Sequence, residues 1–273
     1  MLMALIPQEQ YQHRTSLRPW IVLGAVAVCV VLNTIAAIFG AQAGQDRATT
    51  LIDPAPYAFG VWGVIFAANV VFAVYQATPS QRFDPLLDRV AVPFVAGQVF
   101  GALFALAALV DSNPLGQIST VLYFAAAVAT YAVLGIGRHD ASWVRRGAAW
   151  LPASMSAAWL LAASLVVIAG FLQNDLEVSP PFANGEDWAV GAIALAAIAA
   201  VALLIWARDF AFAAVTVWAL IGISQEQANG AVDAAVVASV AVIGLVAVGM
   251  VPKATADLPW RRRGERERRL GAH

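Results

Sequence analysis

The second long apolar segment of the chain begins with the sequence PYAFGVWGVIF at residues 56–66. In this stretch Phe59, Trp62 and Phe66 are three and four residues apart, so a helix would carry all three rings on one face. Tyr57 lies at the start of the same helix. The spacing therefore predicts a helix with one aromatic face.

The residues before this helix are polar and stiff. Segment 45–56 contains Asp53 together with Pro54 and Pro56. Proline fixes φ and has no N–H donor, which limits the conformations of the segment. Flat, rigid rings beneath a stiff segment are suited to a flat apolar ligand, whereas ordinary packing or an aromatic belt at a membrane surface is the simpler alternative.

The composition of the chain excludes a soluble domain. Of its 273 residues, 61% are hydrophobic and 12% are charged, against about 45–50% and 25% in soluble domains. The net charge of −1 provides no basic field, so nucleic acid is not expected as a partner. Cys29 is the single cysteine, which excludes an intrachain disulfide. The expected surroundings are the lipid bilayer, and the chain is expected to be an integral membrane protein.

Apolar segments of about 20 residues, the length that spans a bilayer, recur along the chain. Eight such segments predict an all-α polytopic membrane helix bundle with about eight transmembrane helices. The seventh is the shortest, so a re-entrant or buried helix is an alternative for it. The segments lie at approximately 20–40, 57–76, 90–110, 117–137, 150–172, 188–207, 210–226 and 230–251.

The basic residues predict the orientation of these spans. With eight spans, fifteen Lys and Arg residues fall on one side and Arg47 alone falls on the other. Because basic residues are retained in the cytoplasm, we expect a multi-pass protein of the bacterial cytoplasmic (inner) membrane with both termini cytoplasmic. A cleaved signal peptide is an alternative for the first segment, but its apolar run is longer than the roughly 7–15 residues of a signal h-region.

Patterns of catalytic or metal-binding residues are not found in the sequence. It lacks Cys-x-x-Cys, His-Glu-x-x-His, Walker and Gly-x-Ser-x-Gly motifs, and its three histidines lie outside the apolar segments. Ionisable residues, which mark ion and proton pathways in membranes, are nearly absent from the middle of the segments. We therefore expect no enzyme, no metal site and no required cofactor, and any pocket should act through shape and aromatic contact.

Three stretches of the chain resemble one known family. They are residues 54–66 with their continuation to Gln76, residues 151–159 and residues 217–223. There the sequence resembles the tryptophan-rich sensory protein family, also called the translocator protein or peripheral benzodiazepine receptor family (TspO/MBR). It is most similar to the longer members, in which three further helices follow a five-helix core. The resemblance covers roughly residues 45–251.

The resemblance implies a domain organisation and a class of ligand. It implies a cytoplasmic N-terminal tail at 1–19, a TspO-like five-helix core at 20–172, three additional transmembrane helices at 173–252 and a basic cytoplasmic tail at 253–273. Family members bind porphyrins and other flat hydrophobic molecules in the five-helix bundle, so a bound tetrapyrrole or another hydrophobic small molecule is expected as ligand. The ligand-binding residues implied by the match are Pro56, Tyr57, Phe59, Trp62, Phe66 and Trp159.

A row of small residues in the third span indicates close helix packing. Gly97, Gly101 and Ala105 recur every four positions, a pattern that lets two helix backbones approach. Family members with five helices are similar in dimerising through this helix. The row therefore predicts either a homodimer interface or packing within the chain.

Three functional hypotheses follow. The leading one is a membrane sensor or regulator that binds a flat hydrophobic ligand. The second is a transporter or facilitator of small amphipathic molecules, which would need a polar pathway across the bundle. The third is a non-catalytic subunit or assembly factor, whose tail from Arg261 to Arg269 would dock on a partner or on anionic lipid.

Overall fold

The computed structural model describes residues 17–39, 49–135, 142–176 and 185–256. These residues form eight long helices and no strand, which confirms the all-α prediction. The basic tail that follows residue 256, the first 16 residues and Arg47 lie outside the described residues. The helices are α1 Arg18–Phe39, α2 Val61–Ala77, α3 Pro85–Leu109, α4 Asn113–Gly135, α5 Leu151–Gly170, α6 Glu186–Ala207, α7 Phe210–Glu226 and α8 Gly230–Ala256.

Short helical turns extend two of these helices. The 3-10 turn Pro56–Gly60 leads directly into α2. A single turn, Trp143–Arg145, and a π-helical turn, Arg146–Trp150, precede α5, and a second π-helical turn, Phe171–Asp175, follows it. The fifth span is therefore the longest helical run that the structure describes.

Seven of the described helical segments are long and apolar enough to cross a membrane. The exception is α7, which has 17 residues. At 1.5 Å per residue it is about 26 Å long, slightly less than the bilayer core of about 30 Å. Helix α2 also has 17 residues, but the 3-10 turn before it extends its span to 22. The chain is a multi-pass membrane protein in which the seventh span, the weakest in the sequence, is the shortest.

The first five helices form a closed ring. Helix α1 packs against α2 and α3, α3 packs against α4, α4 packs against α5, and α5 returns to α2. Helices α6 and α8 pack against each other, and α7 contacts both of them as well as α5. Thus α7 is the main link between the ring and the last helices.

At the end of the five-helix ring where α1 begins, two arginine side chains connect neighbouring helices. Arg18 is 7% exposed and donates a hydrogen bond of 2.7 Å to Asp88 Oδ1. Arg145 forms an ion pair with Asp84, the residue that caps α3. Arg18 also donates to the backbone carbonyl oxygens of Gln76, Gln81, Arg82 and Asp84. The turn between α2 and α3 is therefore held from two sides.

A buried carboxylate joins α7 to the ring. Asp209 is 5% exposed and caps α7 by accepting a hydrogen bond from Phe212 N–H at 3.0 Å. Its Oδ1 also accepts from Ser154 Oγ of α5 at 2.7 Å, and its Oδ2 accepts from the Tyr131 hydroxyl of α4 at 2.6 Å. One side chain thus ties together the ends of three helices.

The small residues of α3 pack within the chain. A Cβ on Gly101 would lie 2.8 Å from Tyr123 Cε1 and 2.9 Å from Cys29 Sγ, and one on Gly97 would lie 3.2 Å from Tyr123 Cε2. Ala105 is fully buried. The row brings α3 close to α1 and α4, which is the packing within the chain that the sequence offered as the alternative. A homodimer stays a prediction.

Candidate ligand cavity

A partly open cavity of about 200 Å³ lies where α2, α3, α4, α5 and α7 meet. It extends beneath residues 52–58, which we call the cover segment. The wall is almost entirely apolar, and the lining side chains that carry a polar group are Trp62, Thr120, Tyr123 and Trp159. The aromatic residues lining it are Phe59, Trp62, Phe104, Tyr123 and Trp159, and the remaining apolar lining is Ile52, Pro54, Leu160, Ala162, Ala163, Val166, Val167, Ala219 and Ile223.

The rings in the wall have a defined arrangement. Trp62 stacks on Tyr123, with centroids 6.0 Å apart and an angle of 18° between the planes. Trp159 meets Phe59 and Trp62 edge-on, at centroid distances of 5.7 Å and 6.3 Å. Edge-to-face and offset-stacked pairs are favourable geometries for aromatic rings. The wall therefore presents both ring faces and ring edges to an occupant.

Three of the six residues inferred from the family lie at the cavity. Phe59, Trp62 and Trp159 line it, and Trp159 is 2% exposed. Phe66 stacks behind Trp62 at 5.2 Å, away from the cavity wall. Tyr57 is half exposed.

The other two residues lie on the outer side of the cover segment. Pro56 is exposed and does not line the cavity. Tyr57 contacts Trp218 of α7 edge-on, with ring centroids 5.5 Å apart. Tyr57 therefore helps to attach the cover segment to α7, and neither residue forms the wall.

Sequence reasoning missed part of the lining. Tyr123 and Thr120 of α4 are three residues apart, a helical spacing that could have indicated a shared face. Ala219 and Ile223 of α7 also line the cavity. Small apolar residues in an apolar helix carry no distinguishing pattern, so no sequence signal assigned them to a site.

Helix α7 holds the cover segment by three hydrogen bonds of 2.9 Å. Ala55 N–H donates to the Gly222 carbonyl, and the Trp218 indole N–H donates to the Ala58 carbonyl. The Gln227 amide donates to the Asp53 carbonyl. Because α7 also supplies part of the wall, the cavity is formed jointly by the five-helix ring and α7.

Gly222 permits the close approach of α7 and the cover segment. A Cβ at this position would lie 2.7 Å from Ala58 Cβ and 3.2 Å from Pro54 Cβ. Such distances are shorter than carbon atoms adopt without displacement. Glycine is therefore required at this contact for steric reasons.

Asp53 orders the residues before the cover segment. Its carboxylate accepts hydrogen bonds from Thr50 N–H at 2.7 Å and from Thr50 Oγ1 at 3.1 Å. Burial raises the pKa of Asp53 above its ordinary value of 3.8, the bonds from Thr50 oppose that rise, and nearby Glu226 adds to it. The Asp53 side chain therefore carries a desolvation cost when it is ionised.

The described residues contain no cluster of three or more His, Cys, Asp or Glu side chains that could hold a metal ion. Thr120 Oγ1 donates to the Gly116 carbonyl at 2.8 Å, so its hydrogen is used within α4. The cavity wall therefore offers mainly shape, dispersion and ring contacts to an occupant.

The fold and the cavity define a polytopic α-helical membrane protein with an aromatic cavity between its helices. The model of the TSPO-like protein family matches residues 19–251, which is most of the chain, so the chain belongs to this family. No curated protein and no solved structure is significantly similar to it.

Proposed function

We propose that the protein binds a flat hydrophobic molecule in the cavity and acts as a membrane sensor or regulator. The observation that carries this proposal is the wall itself, in which Phe59, Trp62, Tyr123 and Trp159 surround a space of about 200 Å³. Rings held at fixed angles bind a flat molecule without losing side-chain freedom.

The cavity volume limits the size of the ligand. An engineered apolar cavity of about 150 Å³ binds benzene, and pockets for drug-sized ligands begin at about 300 Å³. The present cavity of about 200 Å³ therefore suits one or two fused rings. A tetrapyrrole is larger, so it would enter only if the cover segment separated from α7.

The arrangement of basic residues supports a cytoplasmic location of both termini. The starts of α1, α3, α5 and α7 share one end of the bundle, because Arg18 bonds to Asp88, Arg145 pairs with Asp84 and Ser154 bonds to Asp209. The described basic residues lie at or near that end, and the opposite end carries none among the described residues. These basic residues are Arg18, Arg82, Arg89, Arg145, Arg146, Arg208 and Lys253.

Titration of the purified protein with naphthalene and with protoporphyrin IX tests the proposed binding. Tryptophan quenching should saturate with naphthalene, because Trp62 and Trp159 form the wall. Ala163→Phe, which places a ring in the cavity, should weaken naphthalene binding at least 10-fold. Ala125→Phe is the matched control, because Ala125 is exposed on α4 and does not line the cavity.

The outcomes of this titration separate the hypotheses. Equal quenching in both Phe variants would mean that naphthalene dissolves in the detergent or at the protein surface, and the proposal would fail. Flux of naphthol into proteoliposomes that contain the protein, blocked by Ala163→Phe, would instead support a facilitator.

A further inference from the structure

Three polar side chains meet deep inside the five-helix ring. Asn69 of α2, Gln98 of α3 and Tyr123 of α4 are 1%, 2% and 4% exposed. Asn69 lies on the same face of α2 as Trp62 and Phe66, since these residues are three and four positions apart. The polar group is therefore adjacent to the aromatic wall of the cavity and behind it.

The polar atoms of this group are buried without partners. Neither Asn69 Nδ2 nor Asn69 Oδ1 has a hydrogen-bond partner, and the same holds for Gln98 Oε1 and the Tyr123 hydroxyl. The Tyr123 hydroxyl lies close enough to the Asn69 and Gln98 amides to interact with both, but none of these contacts meets the distance and angle limits of a direct hydrogen bond. By contrast, Asn33 donates to the Gly101 carbonyl at 3.0 Å.

Unpartnered polar atoms in an apolar interior are costly, and a lipid-facing bundle offers no bulk water to relieve them. The four atoms have complementary chemistry. The Tyr123 hydroxyl and Asn69 Nδ2 can donate, whereas Asn69 Oδ1 and Gln98 Oε1 can accept. One oxygen that both donates and accepts could satisfy them together, as buried waters with about three hydrogen bonds do.

We propose that Asn69, Gln98 and Tyr123 form a binding site for one hydroxyl-type oxygen. The oxygen comes from a water molecule or from the hydroxyl group of a ligand in the adjacent cavity. It fixes the position of the Tyr123 ring, which stacks on Trp62 in the cavity wall. The part that concerns a ligand rests on the proposed function, whereas the water site does not.

A double-mutant cycle in the absence of ligand tests the site. Asn69→Leu and Gln98→Met remove polar atoms at nearly constant size. If the two side chains share one oxygen, each substitution should lower Tm by roughly 2–8 °C, and the second should cost less once the first is present. Asn33→Leu is the control, because Asn33 is bonded directly to Gly101 and its effect should add to that of Asn69→Leu.

Two results of the cycle would overturn the site. If either substitution raises Tm or leaves it unchanged, the polar atoms bind no oxygen and their removal does not destabilise the protein. If both lower Tm but their effects add, the side chains act separately and no shared oxygen connects them.

A matched pair of ligands distinguishes the source of the oxygen. If the site takes a ligand hydroxyl, wild-type protein should bind 2-naphthol at least 5-fold more tightly than naphthalene, and Asn69→Leu should abolish that preference. Equal affinities, together with Asn69–Gln98 coupling that persists in Tyr123→Phe protein, would assign the site to water. Coupling that disappears in Tyr123→Phe would mean that the Tyr123 hydroxyl itself joins the two amides, and the proposed site would fail. If neither compound binds, the proposed cavity function fails, while the cycle still decides the water site.

Discussion

Replacing Gly222 by alanine should loosen the cover segment. The new methyl carbon would lie 2.7 Å from Ala58 Cβ, whereas non-bonded carbons settle at about 3.5–4.0 Å, so the cover segment must retreat by roughly 1 Å. The hydrogen bond of 2.9 Å from Ala55 N–H to the Gly222 carbonyl would then be lost.

The expected cost of Gly222→Ala follows from these contacts. Overpacking costs about 1–3 kcal/mol, and the lost hydrogen bond costs about 1 kcal/mol. The higher helix propensity of alanine stabilises the folded state by about 1 kcal/mol and offsets part of this cost. The net loss of about 1–3 kcal/mol should lower Tm by several degrees. In hydrogen exchange, the amides of Ala55 and Ala58 should exchange faster than in the wild type.

Gly244→Ala in α8 is the matched control for this experiment. A Cβ on Gly244 has nothing within 4 Å, so the substitution should be neutral or stabilise by up to about 1 kcal/mol. If Gly222→Ala were as stable as Gly244→Ala and left the exchange of Ala55 unchanged, α7 would not hold the cover segment as the geometry indicates.

Two further predictions concern carboxylates that are wholly or partly buried. Asp209→Ala should destabilise the protein by about 2–5 kcal/mol, because it removes the acceptor of the buried Ser154 hydroxyl, a hydrogen bond from Tyr131 and the cap of α7. Ser154→Ala should cost about 1 kcal/mol, and equal Tm values for the two variants would contradict a role of Asp209 in joining α4, α5 and α7. Burial raises the pKa of Asp53 in the folded protein, so folding takes up protons there. The Tm of the wild type should therefore rise relative to that of Asp53→Asn as the pH falls from 7 towards 4, and a constant or falling difference would be inconsistent with the burial of this group.

The helices and half of the inferred site could be predicted from local sequence. Length and hydropathy define a span without reference to its neighbours, so each predicted helix is present and α7 is short as its segment indicated. Phe59 and Trp62, which their spacing of three places on one helical face, and Trp159, which the family resemblance adds, all line the cavity.

The family match, and not the spacing, assigned Tyr57 to the ligand site. Tyr57 lies five residues before Trp62, which at about 100° per residue puts their side chains about 140° apart. Tyr57 accordingly lies off the face that carries Trp62 and contacts α7. Phe66, one turn along α2 from Trp62, stacks on that ring and does not reach the open space.

Partner choice between helices is a long-range property that the sequence did not specify. A row such as Gly97, Gly101 and Ala105 indicates close approach but does not identify the approaching helix. The structure places Tyr123 and Cys29 against it. For the same reason, the contribution of α7 to the cavity wall depends on packing between distant segments and not on a local motif.

Localising a bound ring tests the account most directly. Crystals of the wild-type protein soaked with 1-bromonaphthalene would be measured at the bromine absorption edge. We predict an anomalous peak inside the cavity, among Phe59, Trp62 and Trp159, and its loss in Ala163→Phe. Bromine peaks confined to the lipid-facing surface, with an empty cavity at saturating ligand, would contradict the proposal that this cavity is the binding site.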